Sequence, residues 1–175
     1  MVRMKKFDVV RVLFFTLIFG YDIQAQGNEL RIGDMAPEII LPTLKGEKTA
    51  LSTLRGNLVL IDFWATWCAP CVEEQPELKK LYTKYNHLKA SRVNFEIFGV
   101  SLDNKKEAWE KTIRKFTMNW TQVSDLKYWT SPVAQTYHIE ALPYNVLVDE
   151  KGIIIALNLH GKELESFIDS YLKKE

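Results

Sequence analysis

The feature that most constrains this chain is an apolar run at residues 58–64, followed closely by Cys68-Ala-Pro-Cys71. The run is rich in β-branched and aromatic residues and is short enough to form one buried strand. After the cysteines, apolar side chains recur three or four residues apart, as on one face of an amphipathic helix. They are Leu78, Leu81, Tyr82 and Tyr85. The sequence therefore predicts a strand that leads into a helix through the two cysteines.

This junction makes Cys68 a candidate nucleophile. The first amide groups of a helix have no intrahelical partners, and the helix dipole favours negative charge there. A thiolate at that place is stabilised, so its pKa falls from about 8.5 to roughly the 3.5–7.5 range found in such motifs. Pro70 suits an early helical position, because its missing N–H would have no partner there. We expect Cys68 to attack disulfides and Cys71 to displace the captured substrate, leaving a Cys68–Cys71 disulfide.

Two other interpretations of the cysteine pair are half of a zinc site and a purely structural disulfide. A structural zinc site needs four ligands, and the three histidines lack the paired spacing that such sites use. They are His87, His138 and His160. A chain with only two cysteines also does not resemble a disulfide-stapled scaffold. A redox pair is the favoured interpretation, and the sequence predicts neither a metal nor a cofactor.

Length and charge limit the classes of function. A chain of 175 residues suffices for one domain with a substantial core and a short extension. The formal net charge is +1, and the N-terminus is basic, so the remainder of the chain is close to neutral. This balance does not favour nucleic acid as a partner.

Residues 1–25 have the pattern of a secretory signal peptide, with a basic start, an apolar stretch at 9–20 and Ala25 at a candidate cleavage position. The alternative is an uncleaved membrane anchor, although the apolar stretch is short and contains Arg11. The membrane is an expected partner only in that case. We expect residues 26–175 to form one domain in the periplasm or a similar exported, oxidising location.

The residues around the cysteines carry a family resemblance. Residues 62–71, Asp-Phe-Trp-Ala-Thr-Trp-Cys-Ala-Pro-Cys, closely resemble the active-site segment of the thioredoxin superfamily. Their continuation at 72–76, Val-Glu-Glu-Gln-Pro, resembles the thiol–disulfide oxidoreductases of the TlpA/ResA type. The resemblance covers residues 33–172 and implies that residues 26–175 form a thioredoxin-like α/β domain. In such a domain a central mixed β-sheet is flanked by helices, with an N-terminal β-hairpin and an inserted helix–strand segment.

Periodicity and turn residues place the other elements along the chain. The N-terminal β-hairpin is expected to precede a helical turn around residues 52–54. Asp103 or Asn104 is the expected N-cap of the inserted helix, and Ser131 that of a later helix beginning at Pro132. The expected elements are a helix at 69–86, a strand at 95–102, a helix at 103–116, a strand at 120–123, a helix at 131–138, a hairpin at 139–157 and a helix at 163–172.

The N-terminal segment at 33–56 resembles both the TlpA/ResA group and the peroxiredoxins. Peroxiredoxins place a threonine three residues and a proline seven residues before the cysteine that attacks peroxide. Ala65 and Ile61 stand at those positions before Cys68. Peroxidase chemistry is therefore disfavoured.

Residues 139–143, Ile-Glu-Ala-Leu-Pro, resemble the superfamily loop in which a cis-proline faces the cysteine pair. A cis peptide bond is realistic only before proline. The resemblance implies a cis bond before Pro143 and a Leu142 backbone exposed to an extended substrate segment. The alternative is an ordinary trans proline at the start of a strand. Further substrate contacts are expected from Trp67, Ala69 and Pro70.

Asp62 and Glu74 are candidates for proton transfer to or from Cys71. By resemblance, Asp62 takes the position of the buried aspartate of thioredoxins, and Glu74 that of a ResA-like glutamate three residues after the second cysteine. Burial would raise the pKa of either carboxyl towards neutrality. The alternative for Glu74 is an ordinary surface residue in the first helical turn, where the helix dipole favours negative charge. Asp62 lies in a buried strand, where a charged side chain costs free energy, so a functional role is favoured for it. Which carboxyl serves Cys71 is left open.

The remaining aromatic and histidine residues fit simpler roles. Trp67 is expected to form an exposed apolar surface beside Cys68, and Trp64 to pack inside. Large aromatic side chains supply much of the burial in a small core, which favours core positions for the other tryptophans. These are Trp109, Trp120 and Trp129. His138 and His160 are expected at the surface or in loops.

The resemblance implies a function in disulfide exchange with protein thiols and disulfides. It favours an exported reductant that a membrane electron carrier recharges, with cytochrome c maturation as one process it could serve. Two alternatives are a disulfide-forming or isomerising oxidoreductase, and a non-catalytic module that binds a partner thiol or a metal. The direction of electron flow is left open, because function belongs to the site and not to the fold.

Overall fold

A computed structural model describes residues 29–86 and 93–174. The expected signal peptide or anchor at 1–25 and His87 lie outside the described residues. Among the helices in the described part, none combines the length and the apolar character that a membrane crossing requires.

The centre of the molecule is a five-stranded mixed sheet. Its strands are β3 (Leu58–Trp64), β4 (Phe95–Ser101), β5 (Thr121–Val123), β6 (Tyr144–Val148) and β7 (Ile154–Leu157). They are ordered β5-β4-β3-β6-β7, so β3 is the middle strand. Strand β3 runs parallel to β4 and antiparallel to β6, while β5 is parallel to β4 and β7 antiparallel to β6.

Helices and a small hairpin cover the two faces of this sheet. The helices are α1 (Ala69–Tyr85), α2 (Lys106–Phe116), α3 (Pro132–Thr136) and α4 (Gly161–Leu172), and 3₁₀ turns span Leu51–Leu54 and Tyr128–Thr130. Strands β1 (Ile40–Pro42) and β2 (Lys48–Ala50) pair antiparallel as a separate N-terminal hairpin. Apolar side chains from α1, α2 and α4 form one core cluster, and those from α3 and the hairpin form the other.

The alternation of side chains along β3 decides which residues face the helix that carries the cysteines. Leu58, Leu60 and Trp64 pack in the cluster that contains α1. The intervening residues Val59, Ile61 and Phe63 pack in the cluster on the opposite face. Successive strand residues point to opposite faces, so Asp62 shares the face of Leu60 and Trp64. The strand therefore directs a buried carboxyl at the α1 layer.

These elements confirm the expected thioredoxin-like α/β fold. The mixed sheet, the N-terminal hairpin and the inserted segment of α2 and β5 are all present. Helix α1 occupies the expected range to within one residue, and β6 and β7 form the expected hairpin.

The expected N-cap of α2 is wrong. The helix begins at Lys106, with Lys105 at the N-cap and no side-chain capping bond. Asp103 is instead buried, and its carboxylate accepts hydrogen bonds from the Thr66 amide at 3.1 Å, the Thr66 hydroxyl at 2.6 Å and the Ser101 hydroxyl at 2.7 Å. Two donors from Thr66 in the loop after β3 and one from Ser101 at the end of β4 satisfy this carboxylate better than one helix amide would.

Ser131 does stand at the N-cap position of α3, before Pro132. Its hydroxyl, however, donates to Asp125 Oδ2 at 2.9 Å and makes no capping bond to the helix. The start of α3 is thus as expected, while the helix ends at Thr136 and not at residue 138, and the role of the serine side chain differs.

Candidate active site

Cys68 and Cys71 lie at the first turn of α1, where β3 leads into the helix. Cys68 is the N-cap residue, and its sulfur accepts a hydrogen bond from the Cys71 backbone N–H at 3.3 Å. The two sulfurs are joined as a disulfide. Cys68 is 6% exposed and Cys71 only 1%. Both residues are buried, and Cys68 is the more accessible of the two, as expected if Cys68 attacks and Cys71 resolves.

Trp67, the residue before Cys68, forms a group with the aromatic side chains of Tyr128 and Trp129, here called the aromatic platform. The Trp67 ring lies 5.0 Å from that of Tyr128 and 5.7 Å from that of Trp129, and the latter two rings are 6.0 Å apart. Trp67 is 42% exposed and Tyr128 39%. The expected exposure of Trp67 is confirmed, but its two neighbours extend the apolar surface well beyond one side chain.

The other tryptophans are placed largely as expected. Trp64 is buried, and its indole N–H donates to Gln122 Oε1 at 3.1 Å. Trp109 and Trp120 are also buried in the α1 cluster. Trp129 is only half-buried, because one side packs on the second core cluster while the other meets Trp67. The expectation of a core position holds for Trp129 only in part.

The loop that carries the platform has an unusual backbone. Leu126 and Tyr128 have φ angles of +58° and +56°, the left-handed region that is unfavourable for side chains of this size. Hydrogen bonds from the Lys127 amide and the Ser131 hydroxyl to the two Asp125 carboxylate oxygens hold the loop in this form. A strained loop that exposes an aromatic side chain in contact with the residue before the N-cap cysteine is a candidate for binding.

The peptide bond between Leu142 and Pro143 is cis, as expected from the family loop. Leu142 is half-buried and packs against the core cluster that contains Cys68 and Cys71. The loop before β6 therefore reaches the layer in which the cysteines lie.

Asp62 is almost fully enclosed, with 3% of its surface exposed. The Gln75 side-chain amide donates to its Oδ2 at 3.3 Å. The pKa of Asp62 is raised from 3.8 to about 7. Burial is the main cause, the Gln75 hydrogen bond opposes it, and the charge of Glu74 adds to it. A carboxyl with this pKa can both accept and release a proton near neutral pH.

Glu74 is held by a residue that the sequence did not indicate. His160 Nδ1 lies 2.8 Å from Glu74 Oε1, and His160 Nε2 lies 3.0 Å from Asn158 Oδ1. The side chain of Glu74 is 14% exposed, so it is not a free surface glutamate. His160, expected as a simple loop residue, therefore joins the start of α4 to the first turns of α1. The contact spans 86 positions, a separation at which no local pattern gives a signal.

Gln75 is the second residue that sequence reasoning missed. It is 1% exposed, and besides its bond to Asp62 its Nε2 donates to the Cys71 carbonyl at 3.2 Å. Its position one turn after Cys71 was visible in the sequence, but a glutamine on the buried side of a helix is not recognisable from composition. Within residues 29–86 and 93–174, no three His, Cys, Asp or Glu side chains are grouped so as to hold a metal ion.

Comparisons with known proteins agree with this arrangement. Residues 32–157 match the model of the AhpC/TSA family. The thiol-disulfide oxidoreductase ResA of Geobacillus kaustophilus is 31% identical over 166 residues, covering 91% of each chain. The thioredoxin domain of a Bacteroides vulgatus thiol-disulfide oxidoreductase superposes with a TM-score of 0.73 at 35% identity, covering 82% of this chain and 99% of that one. A thiol-disulfide oxidoreductase from Bacteroides fragilis superposes with a TM-score of 0.72 at 39% identity, and the match covers 79% of this chain and 100% of that one.

The raised pKa of Asp62 predicts how stability depends on pH. Because the folded carboxyl keeps its proton up to about pH 7 while the unfolded one loses it near 3.8, the free energy of unfolding should fall as pH rises through this interval. Asp62→Asn removes the effect, so the variant should be the more stable protein at pH 8, by a few kcal/mol, since each tenfold change in acid dissociation corresponds to about 1.4 kcal/mol.

Urea unfolding of both oxidised proteins at pH 4, 6 and 8 measures this difference. The advantage of the variant should grow between pH 4 and pH 8. A constant difference over the whole range would contradict the titration assigned to Asp62.

Proposed function

This chain belongs to the AhpC/TSA family and is a thiol–disulfide oxidoreductase with a thioredoxin fold, and from that premise we propose that it is an exported reductant of protein disulfides. The observation that carries disulfide exchange in this proposal is the position of Cys68 at the N-cap of α1, with the Cys71 amide donating to its sulfur. Hydrogen bonds and the helix dipole stabilise a thiolate there when the pair is reduced.

The proposed cycle conserves electrons without a cofactor. The Cys68 thiolate attacks one sulfur of a substrate disulfide; the substrate S–S bond breaks, and its other sulfur leaves as a thiolate that takes up a proton. Cys71, once deprotonated, attacks the Cys68 sulfur of the mixed disulfide and releases the second substrate thiol. The substrate gains two electrons, and the protein is left with the Cys68–Cys71 disulfide. A membrane electron carrier would then reduce this disulfide again.

Asp62 is proposed as the group that accepts the Cys71 proton. It lies on the α1 face of β3, its pKa is raised to about 7, and Gln75 links it to the Cys71 carbonyl. Glu74 is proposed to act through its charge, which raises the pKa of Asp62, while its own carboxylate is held by His160. The two carboxyls therefore have different parts in one proton-transfer site.

The substrate is proposed to bind as an extended segment over Cys68. The aromatic platform offers apolar contact on one side. By the family resemblance, the Leu142 backbone and Pro143 bind the segment on the other side, with Ala69 and Pro70 next to the reactive sulfur. A shallow surface of this kind suits many polypeptides, since large aromatic rings bind apolar side chains without a deep pocket.

Export is supported by the basic and apolar pattern of residues 1–25, and reduction by the likeness to ResA proteins. Cytochrome c maturation is one process such a reductant would serve. A disulfide-forming or isomerising enzyme is the alternative with the same site. The reduction potential distinguishes them, because thioredoxin lies at about −270 mV and strong oxidants lie near −120 mV.

Replacing Cys71 with Ser should trap the first intermediate. Without the resolving thiol, Cys68 keeps the captured substrate as a mixed disulfide. Incubation of the reduced variant with a disulfide-bonded peptide should add the mass of one peptide chain at Cys68, whereas Cys68→Ser should form no stable adduct at Cys71. Adducts on the Cys68→Ser protein, or none on either, would contradict the assigned order of attack.

Replacing Tyr128 with Ala should weaken the binding of substrates with apolar side chains and leave that of other substrates unchanged. An aromatic contact is worth about 0.5–1.5 kcal/mol, so KM for a disulfide peptide with a phenylalanine beside its cysteine should rise about two- to tenfold. The rate with oxidised glutathione should not change, because that substrate lacks an apolar side chain for the platform. Ile32→Ala serves as the control, because Ile32 is also an exposed apolar residue and its neighbour Gly33 bonds to Ile154 of β7, at the edge of the sheet opposite β5. An equal loss with both substrates would count against a docking role for Tyr128.

A further inference from the structure

We propose that Gln75 is a positioning residue that holds the Asp62 carboxyl against Cys71 and offers a hydrogen-bond partner to both of its protonation states. This inference rests on the proposed role of Asp62 as the group that accepts the Cys71 proton. It adds a residue that neither the cysteine motif nor the two carboxyl positions indicate.

One side-chain amide connects the Asp62 carboxyl to the backbone of the helical turn that bears Cys71. Gln75 lies four residues after Cys71, hence directly above it on the same face of α1. Its Nε2 donates to Asp62 Oδ2 at 3.3 Å and to the Cys71 carbonyl at 3.2 Å. The carboxyl of β3 and the helical turn that holds the second cysteine are therefore linked by a single polar group that is 1% exposed.

The same amide has an unused acceptor. Among the described residues, Gln75 Oε1 is buried and has no hydrogen-bond partner. An unpaired buried acceptor costs free energy, and an apolar side chain of the same length would fill this space without that cost. A buried polar group with an open acceptor next to a titrating carboxyl is better explained by proton transfer than by packing.

The chemistry of an amide fits both states of the carboxyl. An ionised carboxylate only accepts hydrogen bonds, and here it accepts from Nε2. When Asp62 takes the proton of the Cys71 thiol, the carboxyl gains an O–H that must donate. Gln75 Oε1 is an acceptor of the required kind on the same side chain. The proton thus moves from the Cys71 sulfur to an Asp62 oxygen, and the sulfur electron pair forms the bond to Cys68. The bond between Cys68 and the substrate sulfur breaks at the same time, and the substrate leaves as a thiolate that takes up a proton.

Few other polar groups compete for this role. The register partners of Asp62 on the neighbouring strands are Gly99 on β4 and Asn145 on β6, both uncharged. From α1, the charge of Glu74 acts on Asp62 in the opposite sense to Gln75, and Glu74 is itself paired with His160 from the start of α4. Loss of the Gln75 donor therefore leaves burial and Glu74 to keep Asp62 protonated at neutral pH, where it could not accept a proton.

The test compares Gln75→Met, which keeps the length of the side chain but has no donor, with Gln122→Met. Gln122 is also buried, and among the described residues its side chain accepts a hydrogen bond from Trp64 and donates one to Met118 but makes none to Asp62. It therefore matches the loss of a buried amide. The ¹³C chemical shift of the Asp62 carboxyl is followed against pH in the oxidised proteins. The pH at the midpoint of this titration should rise by about one unit in Gln75→Met and stay unchanged in Gln122→Met. Gln75→Glu, which adds a second carboxyl, should raise it as well.

The second measurement is the release of the captured substrate by Cys71, followed by stopped flow from pH 5 to pH 9. In Gln75→Met the release should slow about fivefold at pH 7, because the ionised fraction of Asp62 falls by that factor, and should recover at higher pH, while capture by Cys68 is unchanged. An unchanged Asp62 midpoint in Gln75→Met, or an equal rise in Gln122→Met, would overturn the role of Gln75. If Asp62→Asn left the release unchanged at all pH values, the proposed role of Asp62 would fail instead, and the carboxyl titration tells the two failures apart.

Discussion

The reactive centre depends on one constraint: a strand buried on both faces ends where a helix begins, and the sulfur of Cys68 occupies the junction. Strand β3 is fully buried and central in the sheet, so its end is fixed in space. Helix α1 starts immediately after Cys68, and its second cysteine donates a backbone N–H to the first sulfur. Charge on that sulfur is stabilised by groups that the fold itself holds in place.

The same strand supplies the acid–base group. Because side chains alternate along β3, the carboxyl of Asp62 lies on the α1 face, two residues before Trp64. There it is enclosed, and the polar groups acting on it come from the helix that bears the cysteines. Burial and the charge of Glu74 favour the protonated form, and the Gln75 amide favours the ionised form. The balance among them brings the pKa of the Asp62 carboxyl to about 7, so it can accept and release a proton near neutral pH.

The elements carrying periodic patterns or family motifs could be predicted from the sequence. The strand and helix around the cysteines, the hairpins and the cis bond before Pro143 are of this kind. Contacts between distant segments could not be predicted, because no local pattern encodes them. Asp103 had the sequence of a helix cap but binds the Thr66 loop, and His160 looked like a loop residue but pairs with Glu74. The left-handed backbone at Tyr128 likewise gives no signal in residue type.

The most direct test of this account is the rate of alkylation of Cys68 by iodoacetamide in the reduced protein, measured from pH 4 to pH 10 with the modified residue identified by mass spectrometry. Only the thiolate reacts, so the rate follows ionisation. The account predicts selective modification of Cys68 with a half-maximal rate at or below about pH 7.5, well under the value of about 8.5 for an unperturbed thiol. A half-maximal rate near pH 8.5, or preferential modification of Cys71, would contradict it.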